Sequence, residues 1–167
     1  MNVAETGRLR VRWLERTDAG FILRLVNEPS WIEYIGDKGV RTREDAVRYI
    51  ENGPVAMYAR VGFGLYLVEL KETREPIGMC GLIRREALED VDLGFAFLPR
   101  HWGRGYAFES ASAVMSYGRS VLGLTRIVAI LSRNNDRSRI LLERLGFRHA
   151  GTTRLSPAGD ELELYAA

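Results

Sequence analysis

The spacing of hydrophobic residues changes period along the chain, and each change predicts an element. In RLRVRWL, Arg8 to Leu14, the apolar Leu9, Val11 and Trp13 alternate with arginines, which predicts a strand with one wet face. TDAGFILRLVNEP then places Phe21, Ile22, Leu25 and Val26 on one helical face, with Thr17 or Asp18 as cap and Pro29 ending the run. SWIEYIG predicts a short helix closed by Gly36. TREDAVRYIENG predicts another, opened by a capping box between Thr42 and Asp45 and ended by Gly53.

Three strand-like runs follow: Phe63 to Leu70, Pro76 to Arg84 and Val91 to Leu98, with KETRE as a hairpin turn between the first two. The helix after the next loop carries Ala107, Ala111, Val114, Met115, Gly118 and Val121 on one face, small enough to lie close on a sheet. Thr125 to Leu131 predicts a buried strand. NNDRSRILLERLG predicts a capped helix with Gly146 at its C′ position, and FRHAGT and ELELY predict closing strands. The order is β-ααα-βββ-α-β-α-ββ, a mixed α/β chain with an antiparallel front half. No linker, repeat or low-complexity tract interrupts it, so residues 1–167 are expected to form a single domain.

Composition narrows the chemistry. A net charge of +2, with arginines scattered rather than striped, argues against a nucleic-acid partner. The single cysteine, Cys80, excludes a disulfide framework, and His101 and His149 stand far apart, so no metal is expected. No run approaches the ~18 apolar residues of a membrane span, and the first residues lack the apolar core of a signal peptide, so no membrane partner and a cytoplasmic location are expected.

One loop stands out. In LPRHWGRGYAFES two glycines flank an arginine where a strand gives way to a helix. The start of a helix leaves N–H groups unpaired and partly positive, so a bare backbone there suits an anion. The string is not a Walker A loop, which needs G-x-x-x-x-G-K-[ST]. Nor is it a dinucleotide fingerprint, because Phe108 stands near where a third small residue belongs.

RHWGRGYA, Arg100 to Ala107, resembles instead the R/Q-x-x-G-x-G/A loop of the GNAT N-acetyltransferase superfamily, which binds the pyrophosphate of coenzyme A. DLGFAFLPRHWGRGYAFES is similar to the fourth strand, loop and third helix of the RimJ/RimL-like branch. NNDRSRILLERLGF resembles that branch's N-x-x-S-x-x-x-L-x-x-L-G-F segment, and TGRLRVRWLERTDA its opening strand and helix. The resemblance covers nearly the whole chain from about Gly7. It implies a single-domain GNAT-like α/β fold, with a mixed, mostly antiparallel central sheet flanked by helices.

The same resemblance assigns roles. Gly103 and Gly105 let the backbone approach the pyrophosphate, with N–H groups of Arg104, Tyr106 and Ala107 donating and Arg100 at the motif's first position. Phe97 and Leu98 lend an edge to the pantetheine arm, and Pro99 marks where strand pairing stops. Asn135 matches an asparagine that contacts the arm, and it equally serves as a helix N-cap. Ser138 is the candidate acid for the leaving thiolate, because the segment has no tyrosine, or else an ordinary first-turn serine. Asp92, on a strand face with Gly94 and Ala96, is the candidate base or a solvated acid beside a hairpin. Glu109 matches a common family glutamate with a structural role. Trp31 and Tyr34 fall where the fold borders the acceptor, or serve the core. Cys80 reads as a small buried hydrophobe rather than a nucleophile.

The expected activity is therefore acetyl transfer from acetyl-CoA to a primary amine by direct attack, without metal. A protein N-terminal amine is the first choice of acceptor. Polyamines, other small amines and a non-catalytic acetyl-CoA-binding module remain as alternatives, and a homodimer is compatible with the sequence.

Overall fold

The alternating runs pair into one eight-stranded sheet in a computed structural model that describes residues 1–167. Its strands are β1 (Asn2–Glu5), β2 (Leu9–Trp13), β3 (Leu65–Leu70), β4 (Pro76–Ile83), β5 (Val91–Phe97), β6 (Ile127–Leu131), β7 (Arg148–Thr153) and β8 (Leu162–Ala166). They lie in the order β1-β2-β3-β4-β5-β6-β8-β7, and every neighbouring pair is antiparallel except β5 and β6. The helices are α1 (Ala19–Leu25), α2 (Pro29–Tyr34), α3 (Arg43–Ile50), α4 (Ala56–Val61), α5 (Tyr106–Ser120) and α6 (Asp136–Arg144).

Strand alternation feeds two cores. In β3, Tyr66 and Val68 join the cluster under α5, while Leu67 between them joins the cluster under α1 and α3. Ala111, Val114 and Met115 of α5 pack on Val91, Leu93 and Ile127, as the small-residue face predicts. Ala19, Ile22, Leu25, Ala46 and Ile50 cover the opposite face over Leu67 and Met79.

Several local expectations hold. Thr42 accepts from the Asp45 N–H at 3.1 Å and Asp45 accepts from the Thr42 N–H at 3.1 Å, completing the capping box of α3. Gly146, at φ +94°, ends α6: its N–H reaches the Glu143 carbonyl and the Phe147 N–H the Leu142 carbonyl, the paired bonds of a Schellman turn.

Others need correction. β1 escaped the sequence reading; it is a short edge strand whose outer residues are exposed. The third helix does not end at Gly53 but widens into a π-helical turn over Glu51–Val55 and continues as α4. Pro54 lies in that turn, where a widened ladder tolerates its missing N–H. Asp18 holds the N-cap position of α1 without capping it. Its carboxylate instead takes both Arg12 Nη groups, at 2.9 and 3.0 Å, and the Glu15 N–H at 2.8 Å. Val121 lies just beyond α5 and is exposed, outside the packed face.

Candidate active site

The sheet opens between β5 and β6. β4 and β5 pair without a break from Gly78↔Phe97 to Ile83↔Asp92. The parallel neighbours β5 and β6 pair only as Val91↔Ile127 and Asp92↔Val128. Beyond Asp92 the strands diverge, and one edge of Leu93–Phe97 has no strand partner. Peptide groups along such an edge need hydrogen-bond partners from elsewhere. One is supplied within the chain: Trp102 donates its indole N–H to the Phe97 carbonyl at 2.9 Å. Phe97 is itself placed by Gly78, where an added Cβ would lie 2.4 Å from the ring.

A cleft of about 930 Å³ runs through this opening. At one end the glycine loop leads into α5. Gly103 (φ +76°) and Gly105 (φ +81°) both take left-handed backbone, a conformation costly to side chains with a Cβ, and Gly105 is the N-cap of α5. Phe97, Gly103, Gly105, Tyr106, Ala107, Asn135 and Ser138 all line the cleft. The loop is braced from outside. Arg8 donates to the Arg104 carbonyl at 2.9 Å and lies over the Tyr106 ring, 4.5 Å from its centroid.

Three sequence-predicted residues do not line the cleft. Leu98 is buried in the core under α1 and α3, with its N–H on the Ile77 carbonyl. Arg100 pairs with Glu75 on the β3–β4 turn and donates to His101 Nε2 at 3.2 Å, so its side chain anchors the loop. Arg104 contributes the carbonyl already described. The cations that do line this end are Arg137 and Arg144 of α6, each over an aromatic ring of the opposite wall: Trp102 at 4.5 Å and Phe108 at 4.7 Å. Sequence reasoning missed both arginines, which stand two and nine residues beyond Asn135 on the motif's own helix.

Asn135 serves α6 as its N-cap, Oδ1 accepting from the Ser138 N–H at 3.2 Å. This leaves its amide N–H₂ without a protein partner, on a residue that lines the cleft. Ser138 is half-buried, and no protein group takes its hydroxyl. Helix capping therefore uses the Asn135 side-chain oxygen and the Ser138 N–H, and leaves the Ser138 hydroxyl without a protein partner.

At the other end Asp92 is buried, 1% exposed, rather than solvated. It shares the cleft wall with Gly94 and Ala96, and its Oδ1 meets Arg85 Nε at 3.0 Å. Burial pushes its carboxyl pKa up, and the Arg85 guanidinium opposes that shift without cancelling it. Sequence reasoning missed Arg85, which lies across the β4–β5 connection. Trp31 and Tyr34 also line the cleft. Trp31 is also a core residue, and Ser132, past β6, donates to the Tyr34 carbonyl at 3.3 Å, tying α2 to the cleft.

Two other residues fall outside the chemistry. Glu109 accepts from the Thr6 hydroxyl, the Arg8 N–H at 3.2 Å and Arg8 Nε at 2.8 Å, clamping α5 to the β1–β2 turn. Cys80 is fully buried in the core; burial pushes its thiol pKa up to about 12, partly offset by Ser110. It is held as the unreactive thiol. No group of three or more His, Cys, Asp or Glu side chains is arranged to hold a metal, and no helix is long and apolar enough to cross a membrane.

A sheet parted beside a glycine loop at a helix start defines the architecture of an acetyltransferase. The model of the acetyltransferase (GNAT) domain matches residues 8–148, and the chain belongs to that family. It is 31% identical over 153 residues to an uncharacterised N-acetyltransferase of Bacillus subtilis, YoaA, covering 91% of this chain and 86% of that protein. An acetyltransferase from Agrobacterium tumefaciens superposes with a TM-score of 0.82 at 26% identity, over 100% of this chain and 94% of the other. RimL, a ribosomal-protein alpha-N-acetyltransferase seen with coenzyme A, superposes with a TM-score of 0.85 at 16% identity, over 100% and 97% of the two chains, and so shares the fold. The protein is a GNAT N-acetyltransferase.

Proposed function

We propose that this N-acetyltransferase uses acetyl-CoA and passes the acetyl group directly to a primary amine, with the N-terminal amine of a protein as acceptor. The observation that carries the reading is the parted β5–β6 edge, continuous with the loop Gly103–Ala107. An extended arm bearing amides pairs with such an edge, and a pyrophosphate meets the helix N–H groups beyond it. The fit extends to charge, since Arg137 and Arg144 line the same end. When bound, acetyl-CoA supplies an acetyl group activated as a thioester.

The chain's residues would then divide the work. The amide of Asn135 orients the arm. The Ser138 hydroxyl donates to the departing sulfur. Asp92, its affinity for protons raised by burial, takes the proton of the incoming ammonium, directly or through water. Trp31 and Tyr34 wall the amine's approach, and Cys80 takes no part.

The acceptor rests on less: RimL and the ribosomal-protein-S5-alanine acetyltransferase of Vibrio fischeri share this fold at 16% and 18% identity. Release of thiol from acetyl-CoA across a panel of N-terminal peptides, polyamines and small amines tests the reading. Initial-rate plots should intersect, since direct attack needs both substrates bound together. Parallel lines would mean an acyl-enzyme and would overturn it.

A further inference from the structure

The acceptor end of the cleft holds a cation with no counter-ion. The chain has two lysines, Lys38 and Lys71, against a large complement of arginines. Lys38, between α2 and α3, lines the cleft with Arg85, Asp92 and Tyr49. Asp92 already has Arg85 as its partner at 3.0 Å. Lys38 has no carboxylate partner. Lys38 is exposed overall; partial desolvation of its ammonium and, after that, the like charge of Arg85 lower its pKa. Neither carboxylate of the lining, Glu28 or Asp92, forms an ion pair with Lys38.

Neutral donors stand in the same wall. Trp31 is 5% exposed, and its indole Nε1 is buried with no acceptor. Burial pushes the Tyr49 hydroxyl pKa up to about 12, which keeps it a donor at any physiological pH. Two cations and a phenol therefore line a cleft whose Asp92 carboxylate is already paired, with an orphaned indole N–H buried behind the same lining. Such a cluster gains most from a ligand oxygen that carries negative charge.

We propose that the acceptor is an amine that carries its own carboxylate, bound by Lys38 and the outward N–H groups of Arg85 so that the amine falls beside Asp92. This rests on reading the Asp92 end as the acceptor end of an acetyl-transfer site. An amino acid offers that chemistry through its α-carboxylate, and a peptide N-terminus offers it through an acidic residue close behind. A polyamine offers the opposite charge and is the disfavoured acceptor.

Calorimetric titration of the coenzyme A-saturated protein tests this with two matched pairs. One is alanine against alaninamide; the other is alanyl-aspartate amide against alanyl-alanine amide. The carboxylate member of one pair should bind about tenfold or more tightly, the range for a charge-assisted hydrogen bond. Which pair shows the preference identifies the source of the carboxylate. Lys38→Met should erase the preference, and Lys38→Glu should turn it toward spermidine. Equal affinities in both pairs, no binding by any of the four, or a preference that survives Lys38→Met would overturn the proposal. Thiol release from acetyl-CoA, measured in parallel, separates the two readings. Turnover indifferent to the carboxylate removes the anion site and leaves acetyl transfer standing. Carboxylate-dependent binding without thiol release does the reverse.

Discussion

β5 has two edges, and they differ in one respect that organises the molecule. Toward β4 it is paired from Phe97 back to Asp92; toward β6 pairing ends at Asp92. The paired edge joins strands that close the core beneath α5, and it satisfies its own peptide groups. The open edge, apart from the Phe97 carbonyl that takes the Trp102 indole N–H, is the one our proposal gives to the cofactor arm. The same strand is thus paired without a break on one side and open to the cleft on the other, and Asp92 stands where the two regimes meet. A carboxylate there is buried by the closed part of the sheet and still reaches the cleft.

Asp92→Asn should break the chemical side of this contrast most severely. Loss of a general base is expected to lower kcat/KM by roughly 10²–10⁴-fold near pH 7. An α-amine has a pKa of about 7.7–8.0, so the deficit should shrink as pH rises above that range and the amine loses its proton unaided. A deficit equal at every pH would assign Asp92 to positioning, and wild-type rates throughout would remove it from the mechanism. Stability should move the other way. Because burial raises the folded pKa of Asp92, the wild type gains from its neutral form at low pH and loses that gain as pH rises through the folded value. Melting temperatures of the asparagine variant relative to wild type should therefore improve with rising pH across the carboxylate range.

Ser138→Ala sharpens the cofactor side, with a drop in kcat on the order of 10²-fold and a much smaller change in the KM for acetyl-CoA. Unchanged kcat would leave the serine to its place in the first turn of α6. Gly105→Glu should abolish coenzyme A binding in a calorimetric titration while the protein still melts cooperatively. The new side chain starts at φ +81°, a strain of roughly 1–2 kcal/mol, and brings a carboxylate to the helix start where the pyrophosphate is expected. Undiminished affinity would remove the loop from the cofactor site.

The smallest effect belongs to Glu109, on the closed side. Burial raises its carboxyl pKa, but the hydrogen bonds from Thr6 and Arg8 outweigh burial and leave it below the ordinary carboxylate value. Its contribution is present above that value and is lost as pH falls through the folded pKa. Glu109→Gln should lower the melting temperature at neutral pH and converge with wild type in acid, with kcat little altered.

What the sequence disclosed follows the same division. The glycine loop, the Asn135–Ser138 spacing and the Schellman ending at Gly146 were legible because each is local: a few consecutive residues fix backbone and cap together. The strand-like runs made the antiparallel front half legible, while the mostly antiparallel central sheet was what the family resemblance implied. The charge partners were not legible. Arg85 meets Asp92 only because the β4–β5 connection folds them together, and Arg100, at the first position of the loop motif, pairs with Glu75 on a different turn. β1 carries too little apolar pattern to announce a strand, and Pro54 reads as a breaker unless a π-helical turn is anticipated. Lys38 had no motif at all; only the closed chain brings it beside Arg85.

Hydrogen exchange of the protein with and without saturating coenzyme A tests the open edge most directly. Amides of Leu93–Phe97 that point toward β6, together with those of Gly103–Ala107, should slow markedly on binding, while amides in the β3–β4 ladder keep their rates. Saturation of coenzyme A binding with unchanged exchange in Leu93–Phe97 would place the cofactor elsewhere and contradict the account.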